Sequence, residues 1–321
     1  MPVIRHCRKP SFNYLSSNDM SAKPKDIFQH KAINRWRLFS LIAVPISLVM
    51  VIAISRTDLS GAKAVSSMIQ LSVRMAVPWI CLAFAASSLH VLFSSLFSRW
   101  LLRNRKIMGL CFATAMAWQL LFILWYVCGH NDRYMKGFVL SDVMEGVGGY
   151  GLLIAMTLTS FRFGRSRLSP KQWKILHKCG IYWLWAYLFT AYWWELFVYH
   201  DLILLNYIYY WIGYVAWGLR MCAWSKKRLQ QTAVQSSAQT GAAQSDGGIG
   251  QLLLRVIGVA LVAVGLVASC FGSGWSEQVF KLFDFPLMNT INIWTPYFPF
   301  VSFYPMFVIM LGAFAIVKSR R

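Results

Sequence analysis

The stretch LFSLIAVPISLVMVIAI, residues 38–54, carries no charged side chain and a single proline. Wound as a helix at 1.5 Å per residue it reaches about 26 Å, close to the hydrocarbon thickness of a bilayer. Runs of the same kind recur at about 76–97, 107–127, 143–161, 179–198, 202–224, 252–271 and 299–317. Over the 321 residues, 57% are hydrophobic and only 13% are charged. A soluble core carries more charge and rarely needs apolar runs this long. The pattern therefore predicts an all-α fold, a polytopic membrane helical bundle of about eight transmembrane helices whose partner is the lipid bilayer.

A net charge of +21 raises the question of nucleic acid, and the placement of the charges answers it. With loops assigned alternately to the two sides, one side holds 26 of the 32 Lys and Arg and the other holds six. This is the asymmetry of the positive-inside rule, which puts both termini in the cytoplasm. The basic faces meet anionic headgroups. No basic domain stands apart from these loops, so no nucleic-acid partner is expected.

The same division organises the chain. Residues 1–36 read as a basic cytoplasmic arm without the apolar core of a signal peptide, so the first span is expected to act as an uncleaved anchor. Residues 37–225 form a six-helix core with short loops. Residues 226–250 include QQTAVQSSAQTGAAQSDGGIG, which has no apolar period and reads as a flexible cytoplasmic linker. Residues 251–321 hold two further spans around an aromatic, proline-rich external loop. The seven cysteines show no metal-like spacing and read as small reduced core residues. Pro45 and Pro78 fall inside spans, where neighbours can satisfy the carbonyls they free. The small residues of AFAASS, 83–88, and GVGGYG, 146–151, let helices approach closely.

No Gly-rich phosphate loop, nucleophile elbow or HExxH is present, and no flavin or nicotinamide domain. His130, Asp132, Asp142, Glu145, Glu195, His200 and Asp201 gather on the outer side, where they read as a solvated rim. Gln119, deep in the third span, needs a buried partner, which Trp118 or a neighbouring Ser or Thr could supply.

Two stretches carry a resemblance. LLRNRKIMGLCFATAMAWQLLFI, residues 101–123, and TLTSFRFGRSRLSPKQWKILHKCGIYWLW, residues 157–185, are similar to the third-helix and fifth-helix regions of the ferric reductase-like transmembrane domain family. Within that family the likeness is greatest to the haem-binding membrane subunits of bacterial methionine sulfoxide reductase systems. It covers about residues 70–225 and leaves out the last two spans. It implies a ferric reductase-like core in a bacterial inner membrane, b-type haem with histidine axial ligands, and electron transfer to a membrane or periplasmic redox partner.

Carried over by position, the family's fifth-helix pair gives His177 and, thirteen residues on, Thr190. The third-helix ligand falls on Gln119. Two of the three haem histidines are thus replaced by side chains that ligate haem iron poorly beside imidazole. His90 lies near the cytoplasmic end of the second span, at a depth compatible with His177, which leaves a haem b between His90 and His177 geometrically open. The reading carried forward is an integral membrane protein that lacks the family haem site and acts as a membrane subunit or scaffold, or binds a lipophilic ligand such as quinone or lipid in the vacated cavity. Its rivals are a haem electron-transfer subunit, an oxidoreductase component without its own flavin or nicotinamide domain, and a transporter.

Topology tests the charge argument directly. A reporter active only outside the cytoplasm should give signal when fused after residues near 135 or 285, and none after residues near 168, 240 or 321. Activity at 168 would invert the orientation.

Overall fold

The computed structural model describes residues 28, 30–136, 140–238, 248–282 and 301–320. Among them are twelve α-helices, short 3-10 turns and no strand. The helices are α1 (Arg35–Arg56), α2 (Ala62–Leu92), α3 (Leu96–Arg103), α4 (Arg105–Gly129), α5 (Asn131–Lys136) and α6 (Leu140–Leu158). They continue with α7 (Arg162–Arg165), α8 (Pro170–Phe197), α9 (Leu204–Ala238), α10 (Ile249–Cys270), α11 (Gly272–Leu282) and α12 (Tyr304–Lys318). Five are long and apolar enough to cross a membrane: α1, α2, α4, α10, and α12 with the turn before it. The expected spans at 143–161, 179–198 and 202–224 fall in α6, α8 and α9. Helix α6 is apolar but short, over Val143–Leu158, whereas α8 and α9 are less apolar because Trp and Tyr occupy so many of their positions.

Polarity is distributed inside-out. Leu41, Val44 and Leu48 on α1 and Leu252, Val256 and Val259 on α10 are exposed, while Ser72, Gln119, Thr190, Asn206 and Ser269 are buried. In water so many exposed apolar side chains would be an aggregation hazard; against lipid they match their solvent.

Helix α2 is the centre of the bundle, packed against α4, α9, α8 and α1. It begins well before the expected span at 76–97, because Val65 and Met68 are buried and hold its polar first turns in place. It also ends sooner, at Leu92, with residues 96–97 in α3. Its small residues Ala83, Ala85 and Ala86 are fully packed. Pro78 removes the N–H that would reach the carbonyl of Arg74. The Tyr209 hydroxyl on α9 donates to that carbonyl instead, at 3.0 Å.

The end of the basic arm is tied to the bundle. Asn104, which is 1% exposed, sits between α3 and α4. It accepts from the Arg35 N–H (3.0 Å) and donates to Asn34 Oδ1 (3.0 Å). Trp100 Nε1 donates to the Ile33 carbonyl (2.8 Å), and Phe28 packs on Phe97 and Trp100. These bonds hold Arg35 at φ 56, a left-handed conformation that costs a non-glycine residue about 1–2 kcal/mol. The arm N-terminal to Phe28 lies outside the described residues.

Three other expectations change. The segment read as a linker from 226 begins as helix, since α9 runs to Ala238 through good helix formers such as Lys226, Lys227 and Gln230; residues 239–247 lie outside the described residues. The external loop begins as α11, anchored by Trp275, which donates to the Ala268 carbonyl (2.8 Å) and packs on Trp193; 283–300 lie outside the described residues. Of the six described cysteines, all free, only Cys81 and Cys111 are buried, so the others are not core residues.

Helices α10 and α12 form a tight pair in which glycine is obligatory. A Cβ on Gly312 would lie 2.6 Å from the Gly258 carbonyl oxygen, well inside contact distance. The pair is fastened to the core by buried hydrogen bonds. Tyr210 donates to the Ser269 carbonyl (2.9 Å), Ser269 Oγ donates to the Tyr214 hydroxyl (2.7 Å), and Thr190 and Ser302 share a bond of 2.8 Å. Gly312→Val should therefore destabilise the protein by about 1–3 kcal/mol, the range for overpacking. Gly218→Ala, with nothing within 4 Å, should not. Thermal unfolding in detergent compares the two.

Candidate functional site

Helix α8 starts where the sequence dictates. Ser169 accepts from the Gln172 N–H (3.2 Å), Gln172 Oε1 accepts from the Ser169 N–H (2.9 Å), and Pro170 occupies the first turn. One turn on, Trp173 Nε1 donates to the Thr159 carbonyl at the end of α6 (3.2 Å). His177 stacks on Trp173, with ring centroids 4.4 Å apart, and its Nε2 lies 3.0 Å from Thr159 Oγ1. The Thr159 hydroxyl also lies 2.7 Å from the Ala155 carbonyl, so it ties the ring of His177 to the end of α6. His177 is a tie between α8 and α6.

The other residues singled out by sequence have partners of their own. Gln119 on α4 is buried, and its Oε1 accepts from the Tyr150 hydroxyl on α6 (2.8 Å). Its partner is therefore Tyr150, not the Trp118, Ser or Thr that sequence suggests. Within GVGGYG, nothing in the pattern marks Tyr150 for this contact. Thr190 bonds Ser302, which lies in the segment that the family resemblance leaves out. His90, in the last turn of α2, has a buried Nδ1 without a hydrogen-bond partner.

Gln119 and His177 each face α6, and Thr190 faces the turn before α12. The enclosed space beside Leu188, Phe189 and Tyr192, near the level of Thr190, has a volume of about 10 Å³, room for about one water. Gln119, Thr190 and His177 Nε2 are committed to protein partners, so the residues as arranged do not fit a haem.

Two features at this end of the bundle are not marked as sites by the sequence. The first is a groove of about 390 Å³ between α8, α9 and α12. Tyr182, Trp183 and Ala186 form one wall, Trp217 the second, and Phe303 and Met310 the third. Its volume lies in the range of small-molecule sites. The aromatic stripe of α8 and α9 is conspicuous in sequence, but that it meets the last helix to enclose a groove is not.

The second feature is a pair of arginines, from α4 and α9, that bond carbonyls of α2. Arg105 Nε, at the start of α4, donates to the Ala83 carbonyl (2.9 Å), and Arg220 Nε, on α9, donates to the Phe84 carbonyl (3.0 Å). The Arg220 guanidinium also lies over the rings of Phe84 (3.8 Å) and Tyr182 (4.6 Å). At the opposite end, Glu195 lies in the field of Asp201 and Arg74, and no metal-binding cluster of His, Cys, Asp or Glu occurs among the described residues.

Comparison of the chain with protein-family models, curated proteins and solved structures found no match.

If His177 is a helix tie, His177→Ala loses one hydrogen bond and one ring contact. Its expected cost is about 1–2 kcal/mol of stability. Thr159→Val should cost about 1 kcal/mol, and the double variant less than the sum, because both remove the same bond. Chemical denaturation followed by tryptophan fluorescence measures all three.

Proposed function

We propose that this chain is an eight-pass protein of a bacterial inner membrane, with both termini cytoplasmic, that serves as a membrane subunit and holds a lipophilic ligand in the groove between α8, α9 and α12. The observation that carries this reading is the groove itself. Its walls are aromatic and Met side chains at a depth where hydrocarbon surrounds the bundle, so an occupant must be apolar over most of its surface. Aromatic faces and Met suit flat or chain-like ligands because they offer large contact area with little rigidity lost. Within this reading, the likeness of residues 101–123 and 157–185 to ferric reductase-like domains is one of helical framework. The ligand site has moved from the family's haem position to the seam with the C-terminal pair.

The rival, a b-type haem electron-transfer subunit, draws its support from His90, whose unpartnered Nδ1 is buried near the basic end of α2. It requires His177 to give up Thr159.

Two measurements separate these readings. Ala186→Trp fills the groove, and should reduce lipid or quinone that copurifies with the protein several-fold, as read by extraction and mass spectrometry, while leaving the fold intact. The dithionite-reduced spectrum of the wild type should show no b-type bands. A stoichiometric Soret band abolished by either His90→Ala or His177→Ala would replace the proposal with its rival.

A further inference from the structure

The basic end of the bundle gathers cations that no described acidic side chain neutralises. Arg105 and Arg220 rest on consecutive carbonyls of α2, so two guanidinium groups are held one residue apart on the same helix. Each guanidinium has five N–H donors and the bond to α2 uses one. Arg165, stacked on Trp173 at 4.7 Å, has a buried Nη1 with no hydrogen-bond partner. His177 lies in the field of both Arg105 and Arg165. The described acidic side chains, Asp58, Asp132, Glu145, Glu195, Asp201 and Glu277, all belong to the opposite end of the helices. Half-buried positive charges held together with no counter-charge among the described residues are unfavourable, and an anion that accepts their free N–H groups removes that penalty.

Tyr182 joins this cluster to the groove. Its side chain lines the groove and its ring face carries Arg220. Trp217, on the groove's second wall, precedes Arg220 by three residues on α9, or about 4.5 Å along the axis. The cations therefore stand just beyond the apolar walls, toward the headgroup level. We infer that Arg105, Arg165 and Arg220 bind the phosphate of an anionic amphiphile whose apolar part occupies the groove. The inference rests on the groove reading and adds the chemical class of its ligand, an acidic phospholipid or another lipid-linked phosphate rather than a neutral quinone. Guanidinium groups suit this task because their planar forks match phosphate oxygens, and the rings beneath Arg220 and Arg165 hold those forks in place.

The test uses the full chain in a neutral detergent, titrated with short-chain phosphatidylglycerol, short-chain phosphatidylcholine and inorganic phosphate. Tryptophan fluorescence reports binding, since Trp183, Trp185 and Trp217 line the groove. The expected result is saturable binding of phosphatidylglycerol at least about tenfold tighter than phosphatidylcholine, weakened about tenfold or more by Arg220→Gln, as loss of a charged hydrogen bond requires. Arg220→Lys should recover only part of it. Should Arg220→Gln fail to fold, Arg165→Gln at the end of α7 gives the same comparison. Arg167→Gln and Lys171→Gln, exposed charges of the same region, should change nothing; an equal loss there would mean general attraction to a basic surface and overturn the site. A response to inorganic phosphate as strong as that to phosphatidylglycerol would overturn the amphiphile in favour of a soluble anion. Equal binding of both lipids, still blocked by Ala186→Trp, would overturn the phosphate site and leave the groove reading standing. Lipid binding that Ala186→Trp does not affect would overturn both.

Discussion

The core of this bundle is arranged around the backbone of α2. A helix in hydrocarbon must satisfy its carbonyls within the protein, and α2 is both interrupted by Pro78 and reduced to methyl side chains at Ala83, Ala85 and Ala86. The result is accessible backbone at the middle of the structure, and neighbouring helices bind to it through polar side chains. Tyr209 reaches the carbonyl freed by Pro78, Arg105 and Arg220 reach the carbonyls of Ala83 and Phe84, and Lys226 reaches that of Val91 (2.9 Å). Three of these four groups are cations on the C-terminal half of α2, and Lys226, at Val91 in its last turn, also stands where the helix dipole favours positive charge. One constraint thus positions α4 and α9 and also concentrates the basic groups that give this end of the molecule its chemistry.

The C-terminal pair is held by different physics. With lipid on its outer face, α10 gains nothing from burying Leu or Val, so its association with α12 depends on close backbone contact at Gly258 and Gly312. Its attachment to the core depends on buried hydroxyls, above all Thr190 with Ser302 and Tyr210 with Ser269. Each such hydroxyl would be costly without its partner, so the contacts specify where the pair docks. That docking completes the groove, whose third wall is α12. A segment that resembles an appendage is therefore part of the site.

Several elements are legible in the chain itself. The apolar runs place the long helices to within a few residues at most ends, but α8 starts at Pro170, nine residues before the expected span, where Ser169 and Gln172 form a capping box on a polar first turn. The polar beginning of α2 and the helical continuation of α9 to Ala238 escape the same reading for opposite reasons. The first is helical because tertiary burial of Val65 and Met68 holds it, and the second because helix propensity persists beyond the apolar run. Among the candidate site residues, the need of Gln119 for a buried partner follows from its depth in the span, while the identity of that partner depends on the rotation of α6.

The sequence by itself determined that the chain is helical and suited to a membrane, and which end is basic. Composition and run length follow from the solvent the helices must match, and that requirement acts on each segment separately. Only the tertiary structure decided what His177, Thr190 and Arg220 do. Their roles depend on the rotation and depth of helices distant in sequence: α6 brings Thr159 to His177, the turn before α12 brings Ser302 to Thr190, and α2 brings the Phe84 carbonyl and ring to Arg220. Helix periodicity gives the faces of each helix, but the choice of partner across a bundle is set by packing and by which buried polar groups can satisfy one another.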